Sequence, residues 1–376
     1  MSKKMRSKNK AVAIVIEGLR NGGSERVASI LANSWASQGR PVDVITMSGV
    51  EDDFFQLDPA VQRNVIRGRK NAISFWQGLK INIHRIRSFR QALTRSQAST
   101  VISFNLVVNI LVILAGTGLG RRIIISERTD PNRQDMGRVW ALLRKLLYHR
   151  AHTVTANSRH AIQVMASYVP RHRLSLIPNP VKQQKNTVAM EDKEKSILMV
   201  GRMVPLKRQS LALEAFALSG DQKRDWKLVF VGDGPDRAGL EDTARKLDIA
   251  NQVIFAGNVE DPGSYYKAAS IFLLTSSHEG LSNALLEAMS WQIPSIVSDG
   301  LPGALEYVEE ARTGLVFRAG DSTHLAQRLE QLMTNFDMRK QLGSAARQRI
   351  KELKIDRILA LWERMIEGDQ EERGPS

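Results

Sequence analysis

The sequence predicts an α/β protein built from two doubly wound units, each with a parallel sheet between layers of helices. Short apolar runs of strand length alternate with longer segments of helical periodicity along the whole chain. A length of 376 residues favours two domains of ordinary size over one. A hydrophobic content of 43% is enough for packed cores in both units.

The first half of the chain alternates strands and helices in this way. Its six predicted strands lie near residues 11–16, 42–47, 101–104, 122–126, 152–156 and 173–177. Apolar residues at three- and four-residue spacing predict amphipathic, basic helices at 79–93 and 138–150.

Residues 101–120 carry no charge, and this run is long enough to span a membrane. We expect instead a buried strand at 101–104, a break at Asn105 and a buried helix at 106–115. Asn105 and Asn109 would be costly in lipid, so the run favours a protein core over a bilayer.

The second half repeats the alternation. Its predicted strands lie near residues 196–201, 227–232, 252–257, 270–275, 293–298 and 314–317. Helical periodicity returns at 355–365, and a polar tail follows from 368 to 376. We therefore divide the chain into domains at 1–182 (with a basic tail at 1–10), 183–350, and a terminal helix and tail at 351–376.

Two carboxylates eight positions apart follow the predicted strand that ends near 275. Ser282 is a suitable N-cap, so Glu279 lies in the loop before a helix and Glu287 lies more than one turn inside it. The backbone N–H groups around Gly280, Leu281 and Ser282 form a site suited to phosphate. The alternative is an ordinary strand–loop–helix with two solvated glutamates.

Charged and glycine-rich loops follow other predicted strands of the second half. Arg202 and Lys207 follow the strand at 196–201, where they can neutralise a diphosphate or simply be solvated. The turn at 232–234 and the loop at 299–304, which contains Gly303, consist of small residues. Such loops allow the backbone to approach a phosphate closely.

In combination these motifs resemble glycosyltransferase family 4, retaining sugar-nucleotide enzymes of the GT-B fold. The residues that carry the resemblance are Val200-Gly201-Arg202 with Lys207, Gly232-Asp233-Gly234, Glu279-Gly280 with Glu287, and Gly314-Leu315-Val316-Phe317. Upstream, Gly22 and Gly23 resemble the family's first-loop glycine pair, and residues 176–181 resemble its domain junction. The resemblance covers about residues 11–350.

The resemblance implies a nucleotide diphosphate sugar as donor, with UDP favoured over GDP, bound in a cleft between the domains. It also implies that the terminal helix crosses back to the first domain. By this resemblance, Arg202 and Lys207 would stabilise the charge on the leaving diphosphate. Glu279 would bind hydroxyl groups of the sugar, and Glu287 would bind the ribose. Gly22 and Gly23 would let the first loop approach the donor closely. Same-face attack would need no separate base. No Asp-x-Asp motif lies on a plausible donor loop, so we expect no metal and no cofactor.

Net charge is concentrated in the first half. Residues 1–182 contain 29 Lys and Arg against 10 Asp and Glu, a net charge of +19, while the remainder has a net charge of −4. This asymmetry implies an anionic partner for the first half. The basic helices suit an anionic bilayer or lipid phosphate, or else a core helix with a solvated face.

The helix at 79–93 resembles the acceptor-binding helix of family members that extend polyprenyl-diphosphate-linked oligosaccharides. The resemblance implies a lipid-linked glycan acceptor. The cations that border its apolar stripe are Lys80, Arg85, Arg87 and Arg90.

Arg128 departs from the family pattern, because many relatives carry His after the Ser-Glu pair that precedes it. Arginine does not take up a proton at neutral pH, but it can clamp a phosphate. We expect Arg128 either to contact the acceptor diphosphate or to form a structural ion pair with Asp130 or Glu127.

These inferences predict a retaining glycosyltransferase that moves a hexose or N-acetylhexosamine to a glycan in bacterial cell-surface polysaccharide synthesis. A soluble transferase or a sugar-nucleotide epimerase of the same fold is the alternative. A sequence pI of about 10.1 also suggests a nucleic-acid-binding protein. The basic helices lack an aromatic platform, however, so we expect no nucleic acid as a partner.

Composition and the N-terminal sequence bear on location. The chain has no cysteine, which excludes disulfides and fits a reducing cytoplasm. The apolar run at 11–16 is too short for a signal-peptide core. We therefore expect a cytoplasmic protein, peripheral on the inner face of the cell membrane.

Overall fold

The computed structural model describes residues 10–66, 75–133, 137–185 and 187–368, with the side chains of 75 and 76 excluded. Most of the basic tail predicted at 1–10 and of the polar tail predicted at 368–376 lies outside the described residues. The chain divides into two compact units. The first runs up to Asn179 and resumes at Ile358, and the second is Pro180–Arg357.

The first unit contains a sheet of seven parallel strands in the order β3-β2-β1-β4-β5-β6-β7. The strands are β1 (Val12–Ile16), β2 (Val42–Thr46), β3 (Gln62–Val65), β4 (Thr100–Phe104), β5 (Arg122–Glu127), β6 (Thr153–Ala156) and β7 (Leu174–Leu176). The order reverses beside β1, which pairs with both β2 and β4. This is the doubly wound arrangement that the sequence predicted.

Strand β3 was not among the predicted strands. Its residues, Gln62–Val65, are polar apart from the last one and are only partly buried. Because β3 pairs with β2 alone, it is an edge strand with little apolar surface to mark it in the sequence.

The helices of the first unit cover both faces of the sheet. They are α1 (Gly23–Ser37), α2 (Phe75–Arg95), α3 (Leu106–Gly116), α4 (Arg138–Leu147) and α5 (Arg159–Met165). Helix α3 lies between α2 and α4 and packs against both. It is apolar on nearly all sides and almost entirely buried, as a helix covered by its neighbours must be.

The strand and the helix of the uncharged run, residues 101–104 and 106–115, are therefore core, as predicted. Asn105 directly precedes α3 with a φ of +71°, and Asn109 is fully buried inside the helix. The Asn109 side chain accepts from Ser103 Oγ at 2.7 Å and donates to the carbonyl of Ser126 at 3.2 Å. Among the described helices, none combines the length and the apolarity that a membrane crossing needs.

The second unit contains a sheet of six parallel strands in the order β10-β9-β8-β11-β12-β13, all of them predicted. The strands are β8 (Glu194–Val200), β9 (Lys227–Val231), β10 (Val253–Phe255), β11 (Ala269–Leu274), β12 (Ser295–Ser298) and β13 (Gly314–Phe317). Its helices are α6 (Gln209–Leu218), α7 (Arg237–Lys246), α8 (Gly263–Ala268), α9 (Asn283–Ser290), α10 (Pro302–Leu305), α11 (Ser322–Thr334) and α12 (Phe336–Arg349).

The last helix, α13 (Ile355–Glu367), returns the chain to the first unit from Ile358 onward. Trp362 on this helix is fully buried, and its ring centroid lies 6.2 Å from that of Phe104 at the end of β4. The predicted return of the terminal helix to the first domain is confirmed.

Candidate active site

The candidate donor site lies at one edge of the sheet of the second unit. The strands β8, β9, β11 and β12 are parallel, so their carboxyl ends meet at the same edge. The loops that leave these ends are 201–208, 232–236, 275–282 and 299–301. They carry the predicted cations, the glycine turns and the first predicted carboxylate.

Lys207 and Glu279 form an ion pair at this edge. Lys207 Nζ lies 2.6 Å from Glu279 Oε1, and the side chains are 23% and 13% exposed. Ser276 Oγ donates to the same carboxylate oxygen. The sequence predicted both charged residues for the site, but it did not predict that they bind each other.

The environment of Glu279 favours its ionised form. Burial opposes ionisation, but the attraction of Lys207 and hydrogen bonds from Lys207, Ser276 and Ser282 outweigh it, so the pKa of the Glu279 carboxyl is lowered. Glu279 is therefore a carboxylate at neutral pH, and it is suited to accept hydrogen bonds from hydroxyl groups.

Thr275 fixes the loop that carries Lys207. Its buried hydroxyl Oγ1 donates to the carbonyl oxygens of Lys207 at 2.8 Å and Arg208 at 3.0 Å. The backbone N–H of Ser277 donates to the Leu206 carbonyl at 2.9 Å. Arg208 has a φ of +48°, a left-handed conformation that a non-glycine residue rarely adopts, so these bonds hold a turn that is strained by itself.

Close contacts between loops account for two of the predicted glycines. A Cβ on Gly232 would lie 2.1 Å from the carbonyl oxygen of Gly201, and one on Gly234 would lie 2.2 Å from that of Met203. These glycines let the turn after β9 support the backbone on either side of Arg202.

Gly303 has a similar role beside Glu279. A Cβ on Gly303 would lie 1.7 Å from the Gly280 carbonyl oxygen. We predicted that small residues here would let the backbone approach a phosphate. The space beside Gly303 is instead filled by the Gly280–Leu281 backbone, so packing alone requires glycine. Direct donor binding by Gly303 stays a prediction.

Arg202 differs from Lys207 in that its side chain is exposed. Its backbone carbonyl accepts a hydrogen bond from Gln209 Nε2 at 2.9 Å. Within the described part of the chain, no carboxylate lies within ion-pair distance of its guanidinium. Arg202 therefore brings to this edge a positive charge that no carboxylate of the described residues pairs with.

The start of helix α9 agrees with the predicted cap. Ser282 Oγ accepts from the Leu285 N–H, so Glu279 lies in the preceding loop and the half-buried Glu287 lies inside the helix. Leu281 is buried at the same helix start. Glu279 thus lies next to both Lys207 and Ser282, which donate hydrogen bonds to its carboxylate.

The glycine pair at 22–23 belongs to the first unit. Gly22 precedes α1 in an extended conformation, and Gly23 is the first residue of the helix. A Cβ on Gly22 would meet the Glu25 carboxylate at 2.2 Å, so the space beside Gly22 holds a side chain. Their predicted contact with the donor stays a prediction.

Arg128 is buried at the carboxyl end of β5 and is 7% exposed. Its Nη1 donates to the carbonyl of Ile177 at 3.0 Å and to Asn179 Oδ1 at 2.8 Å. Its guanidinium carbon lies 5.7 Å from the ring centroid of Phe104 and 5.5 Å from that of Trp362. Arg128 therefore links β5 to the segment before the second unit and to the terminal helix.

The ion pairs suggested for Arg128 do not form among the described residues. Asp130 lies within ion-pair distance of Arg133 and His160 instead. Burial lowers the pKa of Arg128 to about 9, although the charge of Glu127 opposes this. Its Nη2 is buried and has no hydrogen-bond partner among the described residues.

The four cations of helix α2 have different environments. Lys80 and Arg87 are exposed, and Arg85 is partly buried and donates to Asn82 Oδ1 at 3.2 Å. Arg90 Nη1 donates to the carbonyls of Ala115 at 2.9 Å and Thr117 at 2.8 Å. Arg90 therefore binds the carboxyl end of α3, a structural role that the sequence analysis did not foresee.

Thr275 and Ser276 are the site residues that sequence reasoning missed. Both are buried polar residues directly after an apolar strand. Buried hydroxyls need hydrogen-bond partners, and that requirement was the available signal. Among the described residues, no group of three His, Asp or Glu side chains could hold a metal ion. Independence from metal stays a prediction.

The fold and this loop-lined sheet edge define a glycosyltransferase of the GT-B type. The family model described as "Glycosyl transferases group 1" matches residues 181–349, and the model described as "Glycosyltransferase Family 4" matches residues 21–185. The two models together match residues 21–349, so the chain is a glycosyltransferase with a family 4 domain followed by a group 1 domain, as its motifs indicated.

Relatives match nearly the whole chain. A Campylobacter jejuni α-1,4-N-acetyl-D-galactosaminyltransferase, whose name specifies a diphospho-undecaprenol-linked substrate, is 27% identical over 356 residues, covering 94% of this chain and 98% of its own. The amylovoran biosynthesis glycosyltransferase AmsD of Erwinia amylovora is 24% identical, covering 93% and 97%. The structure of Anabaena HepE with UDP and glucose has a TM-score of 0.79 at 15% identity, covering 96% of this chain and 100% of that one.

Proposed function

We propose that the protein is a retaining, metal-independent glycosyltransferase that moves a hexose or N-acetylhexosamine from a UDP-sugar to a lipid-linked glycan. It would act in bacterial cell-surface polysaccharide or glycan synthesis, on the inner face of the cell membrane. The observation that carries the proposal is the Lys207–Glu279 pair, 2.6 Å apart, at the carboxyl edge of the second sheet. A site of this kind presents a fixed carboxylate and a fixed ammonium group side by side.

Glu279 would bind hydroxyl groups of the donor sugar. Lys207 and Ser276 hold its carboxylate in one orientation, and its lowered pKa keeps it charged. A fixed acceptor of this kind positions the sugar ring without having to reorganise during the reaction.

Two cations would stabilise the leaving diphosphate. Lysine has three N–H donors, and one of those of Lys207 is directed at Glu279, which leaves donors for a phosphate oxygen. Arg202 is exposed and pairs with no described carboxylate, so its charge is available as negative charge grows on the leaving group. Glu287 would bind the ribose diol, and Gly22 and Gly23 would lie close to the donor.

The attack by the acceptor and the proton transfer would follow the mechanism usual in this family. The acceptor hydroxyl attacks from the face that the diphosphate leaves, and a donor phosphate oxygen takes up its proton, so no side chain has to act as the base. Arg128 Nη2 has no described hydrogen-bond partner but is buried, so a role in binding the acceptor diphosphate would require the side chains around it to move aside.

The acceptor proposal rests on two supports. The name of the Campylobacter jejuni relative specifies a diphospho-undecaprenol-linked glycan. The net charge of +19 in residues 1–182 favours an anionic partner for that half.

The test is transfer by the purified full-length protein in excess EDTA. We would offer UDP-N-acetylgalactosamine, UDP-N-acetylglucosamine, UDP-glucose and GDP-mannose, each with a polyprenyl-diphosphate glycan or with the same glycan free of lipid. We expect transfer from a UDP-sugar, preference for the lipid-linked acceptor, and an α-linkage from the α-linked donor. A β-linked product would contradict retention, and activity that requires added Mg²⁺ would contradict metal independence.

A matched pair of variants tests the donor edge. Arg202→Gln should lower turnover by about 100-fold, the scale of losing one strong transition-state contact. Arg245→Gln removes an exposed arginine from α7, away from this edge, and should leave turnover unchanged. Equal turnover in the two variants would refute the role of Arg202.

A further inference from the structure

Helix α4 presents apolar side chains to the solvent. Val139 is 59% exposed, Leu142 is 58% exposed and Leu146 is 53% exposed. Their spacing of three and four residues places them on one stripe of the helix. Single exposed leucines are common on proteins, but a continuous stripe marks an interaction surface.

The other side of the same helix is anchored in the first unit. Leu147 is buried in the core, and Arg144 Nη2 donates to the Pro131 carbonyl at 2.7 Å. Just after the helix, Tyr148 Oη donates to the buried Glu127 carboxylate at 2.9 Å. The stripe is therefore held on a fixed element, and a partner would not have to order it.

The charged residues of the segment 138–150 all have one sign. Arg138, Lys145 and Arg150 are exposed, and residues 138–150 include no Asp or Glu. Apolar side chains flanked only by cations are complementary to a surface with an apolar interior and anionic head groups.

Helix α2 has a weaker version of this surface. Leu79 and Ile83 are 45% and 42% exposed, but Phe89 and Leu93 on the same helix are buried in the core. Both helices pack against α3, so they lie on the same face of the sheet. The sequence analysis assigned the acceptor and its lipid to the helix at 79–93, whereas the exposure of apolar side chains favours α4 for membrane contact.

We propose that helix α4 is a membrane-insertion element. Val139, Leu142 and Leu146 enter the boundary between head groups and acyl chains of an anionic bilayer, and Arg138 and Lys145 lie against lipid phosphate. The proposal rests on the proposed function, because it supplies the means by which the enzyme reaches a lipid-linked acceptor. Helix α4 contacts the bilayer through its apolar stripe, so the stripe's contribution to the binding free energy persists when salt screens the cations.

The test is co-sedimentation of the full-length protein with vesicles of phosphatidylglycerol and phosphatidylcholine in equal parts. The triple variant Val139→Gln, Leu142→Gln, Leu146→Gln should lower the partition coefficient by about 100-fold or more, since each apolar side chain contributes to burial. The matched control is Leu218→Gln, a leucine 55% exposed on the second unit, which should bind as the parent does. Thermal unfolding should be similar in all of these proteins, because the substituted side chains are exposed.

A second measurement reports insertion directly. Trp140 lies beside Val139 on α4 and is partly buried. Lipids brominated on their acyl chains should quench part of the parent's tryptophan fluorescence, and Trp140→Phe should lose that part. Equal quenching in the parent and in Trp140→Phe would place α4 outside the bilayer and overturn the proposal.

The remaining outcomes separate this proposal from its alternatives. Vesicle binding that is equal in the parent and the triple variant would overturn it. A parent that self-associates, with a monomeric triple variant that still binds vesicles, would assign the stripe to a second copy of the chain and would also overturn it. Transfer to a lipid-free glycan should persist in the triple variant. Loss of vesicle binding with transfer intact supports the insertion role, whereas absence of transfer in the parent would contradict the proposed function alone.

Discussion

Simultaneous substitution of Lys207 and Glu279 should lower turnover far less than the product of the two single effects. Each single variant, Lys207→Met or Glu279→Gln, should lose about 100-fold, the scale of one strong transition-state contact. Independent contributions would multiply to about 10,000-fold in the double variant. The Nζ–Oε1 distance of 2.6 Å, with side chains only 23% and 13% exposed, indicates that the two residues act as a unit.

The size of the coupling follows from that burial. Exposed pairs couple by about 0.2–1 kcal/mol, and close pairs in buried interfaces by about 1.5–7 kcal/mol. For this mostly buried pair we expect about 2–3 kcal/mol, which corresponds to about 30- to 150-fold. The double variant should therefore have turnover within about fivefold of the worse single variant.

The assay is a double-mutant cycle on turnover, with unfolding free energy measured in parallel. The pair Lys195–Asp225 in the same unit is a matched control, because its atoms are 2.9 Å apart but its side chains are 59% and 74% exposed. The corresponding cycle of Lys195→Met and Asp225→Asn should show no coupling in turnover. Multiplicative losses at Lys207 and Glu279 would refute the reasoning and assign the two residues to separate contacts.

Three further predictions concern the loops around this pair. Thr275→Val removes the hydroxyl that binds two carbonyls, so turnover should fall by about tenfold while KM changes little, and Thr275→Ser should restore it; equal loss in both would assign the effect to packing. Gly303→Ala places a methyl group 1.7 Å from the Gly280 carbonyl oxygen, so the free energy of unfolding should fall by about 1–3 kcal/mol. Gly239→Ala in helix α7 is the control, because its methyl group meets nothing within 4 Å, and it should raise the free energy of unfolding by up to about 1 kcal/mol. Thermal unfolding of both variants is the measurement. The pKa of Glu279 in the folded protein is lowered from 4.5, so its ionised form stabilises the protein above that pH. The stability advantage of the parent over Glu279→Gln should therefore shrink as the pH falls below 4.5. A stability difference between the two proteins that stays constant down to acid unfolding would contradict the assigned environment.

Strands were predictable here because parallel sheets bury both faces. Residues 197–200 of β8 and 271–274 of β11 are continuous apolar segments, and such segments are visible in a sequence. Strand β3 was missed because an edge strand such as Gln62–Val65 need not be apolar. The Ser282 cap was predictable for a similar reason, since capping depends on residues a few positions apart.

Contacts between distant loops were beyond the sequence. Lys207 and Glu279 were each assigned to the site, but their pairing depends on β8 and β11 being neighbours in the sheet. The same adjacency brings the Thr275 hydroxyl to the Lys207 carbonyl. Arg128 was expected to bind phosphate or a nearby carboxylate, and its aromatic neighbour Trp362 is 234 positions away along the chain.

That distance along the chain has a consequence for synthesis on the ribosome. Phe104 and Arg128 leave the ribosome well before Trp362, which packs against both and follows Arg128 by 234 residues. The second unit is one continuous stretch, Pro180–Arg357, and all of it is translated before Trp362. The first unit is therefore synthesised first but completes its core only after the second unit has been translated. Until then, Phe104 and Arg128 lack their contact with Trp362.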